Sequence, residues 1–197
     1  WLQEGFATYY ALLAERKIFG DDYFYYKLYQ TSRQIREAAK TDKAPVRDAK
    51  ASSLSFYQKG AWALHVIHEA IGEKKFQKAV KNYLKKYQFK NVETDYFLAE
   101  IKKVSNFDTD NFKKVWLEDY HYPANDINFL LTKNGFMRDF LKLQFVRNKP
   151  FEEKRLLLET ILKSDGYFPL KKEAVFQLKE IPFDQKKELL HLAMQTN

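Results

Sequence analysis

The chain begins with Trp-Leu-Gln-Glu-Gly-Phe-Ala at residues 1–7, the stretch that opens its first predicted helix. From there apolar side chains recur at three- and four-residue steps: Leu2, Phe6, Tyr9 and Leu13. This spacing aligns them on one face of an α-helix, and Gly20 supplies a stop signal. We therefore predict a helix over residues 1–19 that carries Glu4 in its first turn.

Further helices are predicted along the next hundred residues. Asp21 and Asp22 cap a second helix that runs to about Lys40, and a loop over residues 41–54 follows. The remaining predicted helices of this region are 55–71, 74–87, one that Thr94 caps, and one that Asp110 opens and Pro123 ends. The sequence lacks the alternation of β-branched residues that is typical of strands, so the predicted fold class is all-α.

This pattern divides the chain into two predicted regions, residues 1–123 and residues 124–197. In the second region, prolines precede or open helix-length segments, as the first turn of a helix allows. The clearest predicted helices there are 151–163, 170–179 and 183–195. Their succession resembles the start of a helix-pair array of the HEAT type.

The composition limits the class of protein. A chain of 197 residues with 45% hydrophobic and 17% aromatic residues can bury a core, which excludes a disordered protein. No apolar run reaches the length of a membrane span. The absence of cysteine excludes disulfides and thiolate zinc sites. Cytoplasmic and exported locations both stay open, as does the oligomeric state.

The net charge of +8 raises the alternative of nucleic-acid binding. The positive excess is spread evenly, however, with ten Lys and Arg against eight Asp and Glu in residues 1–69. The corresponding counts are eleven against eight in residues 70–120 and thirteen against ten in residues 121–197. This distribution favours an ordinary solvated surface, so no nucleic-acid partner is predicted.

A second motif lies at the start of the third predicted helix: Phe-Tyr-Gln-Lys-Gly-Ala, residues 56–61. Gly60 lies in the helix interior, where glycine costs about 1 kcal/mol relative to alanine. We therefore predict that another helix approaches closely at Gly60. Lys59 is interpreted as a structural cation that caps backbone carbonyls. By position alone, Tyr57 would be a packing residue whose hydroxyl finds a partner.

Together, residues 1–7 and 56–61 resemble the W-L-N-E-G-F-A and Y-x-K-G-A elements of the aminopeptidase N-type zinc metallopeptidases, the gluzincins. The resemblance extends over residues 1–123. It implies that this region is the helical C-terminal part of a thermolysin-like catalytic domain, followed by a helical tail. It also implies peptide substrates, from which a zinc-activated water removes N-terminal residues.

The resemblance assigns roles to two residues. Glu4 corresponds to the third protein ligand of the catalytic zinc, and Tyr57 to the hydroxyl that stabilises the tetrahedral intermediate. The family's other two zinc ligands are the histidines of an upstream H-E-x-x-H motif, which this chain does not contain. The chain is therefore expected to be a piece of a larger zinc enzyme, inactive alone and without bound zinc.

Two positions depart from the family pattern. Gln3 replaces the usual Asn, a change that keeps the amide group. Trp-Leu at 116–117 followed by Tyr-Pro at 122–123 resembles the close of the family's catalytic domain, but His121 stands where the family commonly has Gly.

The pair His65 and His68 superficially resembles the missing zinc motif. The two histidines of H-E-x-x-H are four residues apart with the Glu between them, whereas His65 and His68 are three apart and Glu69 lies outside them. We therefore interpret both as core or surface histidines. His121 and His191 carry no metal-site pattern.

Two alternatives to the peptidase remain open. A relative that has lost the upstream zinc motif could serve as a non-catalytic helical scaffold or peptide-binding protein. A relative that keeps the fold could catalyse another reaction, as the epoxide-hydrolase members of the same family do. Hydrolysis of amino-acid anilides separates the peptidase from both.

Overall fold

The computed structural model of the chain describes residues 1–195, and these residues contain no β-strand, which confirms the all-α prediction. The helices are α1 (Leu2–Ala38), α2 (Gly60–Ile71), α3 (Glu73–Tyr87), α4 (Thr94–Val104), α5 (Thr109–Phe112), α6 (Ala124–Leu131), α7 (Gly135–Phe145), α8 (Phe151–Lys163), α9 (Phe168–Phe176) and α10 (Phe183–Gln195). Two π-helical segments, Ser55–Lys59 and Lys113–Glu118, lead into α2 and extend α5. None of the described helices is long and apolar enough to cross a membrane.

The contacts within the chain separate it into two units, residues 1–130 and residues 131–197. The division falls seven residues after the sequence-predicted boundary at Pro123, near the end of α6. The assignment of the first region to a catalytic domain and of the second to a HEAT-like array stays a prediction.

Helix α2 is the central element of the first unit. Its composition is apolar on all sides, which is typical of a helix surrounded by protein, and Trp62, Leu64 and Ile67 are completely buried. The indole nitrogen of Trp62 donates a hydrogen bond to the Thr31 hydroxyl of α1 at 3.0 Å, which satisfies its polar atom. The core of this unit therefore forms around α2, with α1 packed along it.

Helix α1 consists of two helical segments that meet at Gly20. The backbone there has φ 86° and ψ 177°, a conformation that favours glycine, so the predicted stop at Gly20 is confirmed. Asp21 was expected to cap the second segment. Its carboxylate instead accepts a hydrogen bond from Arg16 at 2.7 Å, which ties the two segments together across the kink.

Two predicted helix caps were wrong. Thr94 is the first residue of α4 rather than its cap, and its hydroxyl accepts a hydrogen bond from the indole of Trp1 at 2.9 Å. Asp110 lies inside α5, and the cap is Asp108, whose carboxylate accepts from the amides of Asp110 and Asn111. At α5 the two aspartates have the same cap propensity, whereas α4 begins after Glu93 without a side-chain cap, because the Thr94 hydroxyl is bonded to Trp1 instead.

Helix ends were also shifted. The predicted helix that Asp110 opens continues as the π-helical segment only to Glu118, because Asp119 adopts an extended conformation. The predicted helix 170–179 is α9, which begins and ends two to three residues earlier. Helices α6 and α7 had not been assigned individually from the sequence.

The second unit has its own apolar core, which α7 to α10 build. Its most buried side chains are Met137, Leu143, Leu158, Leu162, Ala174 and Leu178. Gln177, just beyond α9, donates a hydrogen bond to the carbonyl of Leu143 at 2.9 Å. This bond satisfies a backbone carbonyl in the last turn of α7 within the core. No sequence-predicted site residue lies in this unit.

Candidate functional site

The first turn of α1 crosses the start of α2 at two glycines, Gly5 and Gly60. A Cβ atom added to Gly5 would lie 2.8 Å from the carbonyl carbon of Gly60, and one added to Gly60 would lie 3.0 Å from the carbonyl oxygen of Trp1. The 2.8 Å distance excludes any side chain at position 5, and a side chain at position 60 would require the α1 backbone to move away. The close approach predicted at Gly60 is confirmed, and the partner is the helix that carries Glu4.

The crossing brings together the two residues selected from the sequence. The hydroxyl of Tyr57 lies near the carboxylate of Glu4, 53 positions away in the chain, and the hydrogen-bonding and electrostatic influence of that carboxylate raises the pKa of Tyr57 above its usual value. Tyr57 is 43% exposed and Glu4 is partly exposed. A carboxylate and a phenol therefore share one solvent-accessible face.

Tyr57 lies in the π-helical segment Ser55–Lys59, a feature that the sequence analysis missed. The wider turn of a π-helix accommodates one more residue than an α-helical turn and so changes the face on which later side chains project. Such segments are rare and occur frequently at functional sites. Here the segment directly precedes Gly60, so it determines how Tyr57 is presented beside α1.

Lys59 anchors the other end of the π-helical segment. Its ammonium group is buried and donates hydrogen bonds to the carbonyls of Asp119 at 2.6 Å and His121 at 3.3 Å. The interpretation of Lys59 as a carbonyl-capping cation is therefore confirmed. Burial lowers its pKa to about 8, against the attraction of Asp119 and Asp42.

The lowered pKa of Lys59 predicts a pH-dependent stability. The unfolded chain keeps this lysine protonated up to pH 10.4 or so, while the folded chain releases the proton above about pH 8. The unfolded state thus binds more protons between these values, and the free energy of unfolding rises with pH there. We expect urea unfolding to show a rise of about 1–2 kcal/mol from pH 8 to 10 in the wild type relative to Lys59→Met. Parallel pH profiles of the two proteins would contradict this account.

The Gly5–Gly60 crossing gives a second stability prediction. Gly5→Ala places a methyl group against backbone that cannot move without separating the helices, which costs about 2–3 kcal/mol, the upper half of the range for overpacking. The gain in helix propensity returns about 1 kcal/mol. We expect a net loss of about 1–2 kcal/mol in urea unfolding, monitored by fluorescence of the three tryptophans, which all belong to the first unit.

The control for that experiment is Gln3→Ala, an exposed change in the same helical turn, which should alter the stability by less than about 0.5 kcal/mol. If Gly5→Ala were as stable as Gln3→Ala or more so, the crossing would not be as close as described.

A buried polar network lies further along α1. The hydroxyl of Tyr9 is within hydrogen-bonding distance of Nδ1 of His65 at 3.1 Å and of Nδ1 of His68 at 2.7 Å. His68 also stacks on Phe76 and contacts the carboxylate of Glu73. Both histidines are buried, so their interpretation as core residues is confirmed. The network joins α1, α2 and α3 behind the Glu4–Tyr57 pair.

A metal at this face would take Glu4 as its ligand from this chain. The Glu4 side chain is partly exposed, and its carboxylate interacts with the Tyr57 hydroxyl and with the Trp1 ammonium. Within residues 1–195 no group of three His, Asp or Glu side chains is arranged to hold a metal ion. The arrangement thus places one carboxylate and one phenol side by side on a partly exposed face.

The remaining predicted residues have structural roles. His121 is exposed, and its ring and backbone nitrogens both contact the carboxylate of Asp119. The indole of Trp116 is buried and donates to Asp126 at 2.8 Å. Both stabilise the segment that follows α5, on which Lys59 is anchored.

Comparison with known proteins bears on this site. The model of the peptidase family M1 domain matches residues 1–116. Similar curated proteins are aminopeptidase M1-D of Oryza sativa subsp. japonica (29% identical over 134 residues, 63% of this chain and 15% of the relative), leucyl aminopeptidase of Saccharolobus solfataricus (32% over 133 residues, 62% and 17%) and glutamyl aminopeptidase of Mus musculus (28% over 151 residues, 71% and 16%). No solved structure shows significant similarity to the chain.

The chain therefore spans about a sixth of the length of these relatives. The match begins at the segment that carries Glu4 and includes the segment that carries Tyr57. Since the family model covers more than half of the sequence, the prediction made from the two motifs is confirmed: this chain belongs to peptidase family M1.

Proposed function

We propose that this chain contributes to a zinc-dependent aminopeptidase that removes N-terminal residues from peptides. The observation that carries the proposal is the close Gly5–Gly60 crossing, which joins the two motifs and places the Glu4 carboxylate near enough to the Tyr57 hydroxyl to raise its pKa. Peptidases of family M1 are generally zinc-dependent, and the curated relatives bear aminopeptidase names. The general class of the parent protein, a peptidase, follows from the family.

In this proposal Glu4 is the one zinc ligand that the chain supplies. Catalytic zinc takes three protein ligands, commonly two histidines and a carboxylate, and leaves a position open for water. Zinc bound there lowers the pKa of that water and polarises the scissile carbonyl. The two histidines and the general-base glutamate belong to a preceding segment of the parent protein, and Glu4 completes their site from the first turn of α1.

Tyr57 acts on the substrate rather than on the metal. Its phenol is neutral near pH 7, so it can donate a hydrogen bond to the oxygen of the scissile carbonyl as negative charge develops there. Such a donor stabilises the transition state more than the ground state, because the charge that it meets is larger in the former. The exposure of Tyr57 leaves room for a peptide beside it.

The proposal is tested with a longer form of the protein that includes the residues encoded before Trp1. We expect it to bind one zinc ion and to hydrolyse amino-acid p-nitroanilides, while residues 1–197 alone do neither. Removal of the metal with a chelator should abolish hydrolysis, and added zinc should restore it.

The alternatives predict different results in the same experiment. A scaffold or peptide-binding relative would bind no zinc and leave the anilide intact. A relative with another activity, such as an epoxide hydrolase, would bind zinc without hydrolysing the anilide. Either result would overturn the aminopeptidase proposal.

A further inference from the structure

The loop that joins α1 to the Tyr57 segment is closed by a single carboxylate. One oxygen of Asp42 accepts a hydrogen bond from the amide of Ala44 at 3.1 Å. The other accepts from the amide of Ser52 and from the hydroxyl of Ser55, each at 3.1 Å. Asp42 thus ties the first residues of the loop to its last, ten and thirteen positions further along the chain.

These hydrogen bonds end where the Tyr57 helix starts. Ser55 is the first residue of the π-helical segment, and its amide is within 3.3 Å of the Ser52 hydroxyl. A negative charge near the first amides of a helix is favourable, and hydrogen bonds to a charged acceptor are stronger than neutral ones. The bonds from Ser52, Ala44 and Ser55 also hold the pKa of Asp42 below its usual value.

Tyr57 depends on this backbone for its position. Its side chain is 43% exposed, and the group that acts on its hydroxyl is the Glu4 carboxylate, which raises the pKa of Tyr57. With nearly half of the ring facing solvent, packing alone leaves the ring free to change rotamer. The direction of Tyr57 is therefore determined by where the π-helical segment begins and how firmly that start is fixed.

The middle of the loop has separate anchors. Val46 is buried, the amide of Arg47 donates to the carbonyl of Leu117 at 3.2 Å, and the Arg47 side chain pairs with Glu118 at 2.8 Å. Loss of the Asp42 bonds should therefore release the start of the π-helical segment without unfolding the rest of the loop.

We propose that Asp42 is a positioning residue for Tyr57: its carboxylate fixes the first turn of the π-helical segment and thereby the place of the Tyr57 hydroxyl beside Glu4. The consequence for catalysis rests on the function proposed above. The structural part, that Asp42 determines the position of Tyr57, holds for this chain in isolation.

The test compares Asp42→Asn with Asp48→Asn. The first change turns one acceptor oxygen into a donor that faces other donors. The second is the same chemical change in the same loop, but the Asp48 carboxylate accepts a hydrogen bond from the amide of Lys50, and an asparagine oxygen can replace that bond. Both variants are made in residues 1–197.

Two measurements read out the position of Tyr57. Hydrogen–deuterium exchange of the amides at 52–57 should accelerate about 10- to 100-fold in Asp42→Asn, the loss expected for hydrogen bonds to a charged acceptor, and stay unchanged in Asp48→Asn. The ring resonance of Tyr57, assigned by its absence in Tyr57→Phe, should shift in Asp42→Asn only. Unchanged exchange and an unchanged resonance would overturn the proposal, as would equal effects of the two variants.

The catalytic part is tested in the longer, zinc-binding form. Asp42→Asn should lower kcat about 10-fold or more at unchanged zinc content and nearly unchanged KM, since the ground-state contacts of the substrate persist. An altered Tyr57 resonance with an unchanged kcat would overturn the positioning role in catalysis. If the longer wild-type protein is inactive, the proposed function fails, while exchange and the resonance still decide whether Asp42 positions Tyr57.

Discussion

Tyr57→Phe in the longer, zinc-binding form is expected to lower kcat about 10²–10³-fold, the cost of removing one preorganised donor to a developing oxyanion. The substitution deletes only the hydroxyl oxygen, and the ring keeps its contacts. Zinc content should stay at one per chain, because Tyr57 is not a ligand in this account. Steady-state hydrolysis of an amino-acid anilide, with metal analysis of the same sample, measures both quantities.

The matched control is Tyr96→Phe. Tyr96 is as exposed as Tyr57, at 43%, but it stacks on Tyr87 in a different part of the first unit. Its hydroxyl should contribute nothing to kcat. A wild-type kcat in Tyr57→Phe, or an equal decrease in both variants, would remove Tyr57 from the catalytic account.

Glu4→Gln in the same protein is expected to weaken zinc binding by more than about 100-fold. Loss of a residue that merely orients a zinc ligand costs 10- to 100-fold in affinity, and loss of a ligand's charge should exceed that. The amide keeps the size of the side chain and can still accept the Tyr57 hydrogen bond, so the change isolates the charge. Zinc titration against a competing chelator measures the affinity, and hydrolysis should fall in parallel.

Glu15→Gln provides the control for the Glu4 experiment. Glu15 lies on the same helix and also accepts a hydrogen bond from a tyrosine hydroxyl, that of Tyr23 at 3.0 Å. The zinc affinity of the Glu15→Gln protein should equal that of the wild type. Retention of tightly bound zinc by Glu4→Gln would show that Glu4 is not a ligand.

The sequence was enough to predict the two motifs of the site, but not which residues bring them into contact. Gly60 in a helix interior indicated a close approach, because glycine is costly there without a reason. That its partner is Gly5 follows only from three-dimensional packing. The two glycines are the physical link between motifs that sequence comparison treats as separate.

No pattern in the sequence predicted the π-helical segment or the hydrogen bonds that Asp42 accepts. A π-helical turn differs from an α-helical one by a single residue, and the apolar spacing over residues 55–71 suits both. Asp42 resembles any other polar loop residue until Ser52 and Ser55 are brought to it. The hydrogen-bond partners of Tyr9 could not be predicted from the sequence either, since His65 and His68 lie 56 and 59 positions away in the chain.

The presence of the helices was predicted more accurately than the residues at which they begin and end. The predicted helix 74–87 differs from α3 by one residue at its start, and the predicted helix that follows begins within one residue of the start of α4. Thr94 was predicted as a cap but is the first residue of α4, and the helix that Asp110 was predicted to open begins one residue earlier, capped by Asp108. Leu84 of α3 is apolar but 57% exposed, because the buried face of this helix runs through Ala79 and Tyr83.

The account's central claim is that α1 and the π-helical segment bring Glu4 and Tyr57 to one metal centre. The most direct measurement is the ¹³C spectrum of ring-labelled tyrosine in the longer protein, with cobalt(II) in place of zinc. The account predicts a large paramagnetic shift of the Tyr57 resonance, identified by its loss in Tyr57→Phe, and no such shift for Tyr96. A Tyr57 resonance at the same position in the cobalt and zinc forms would contradict it.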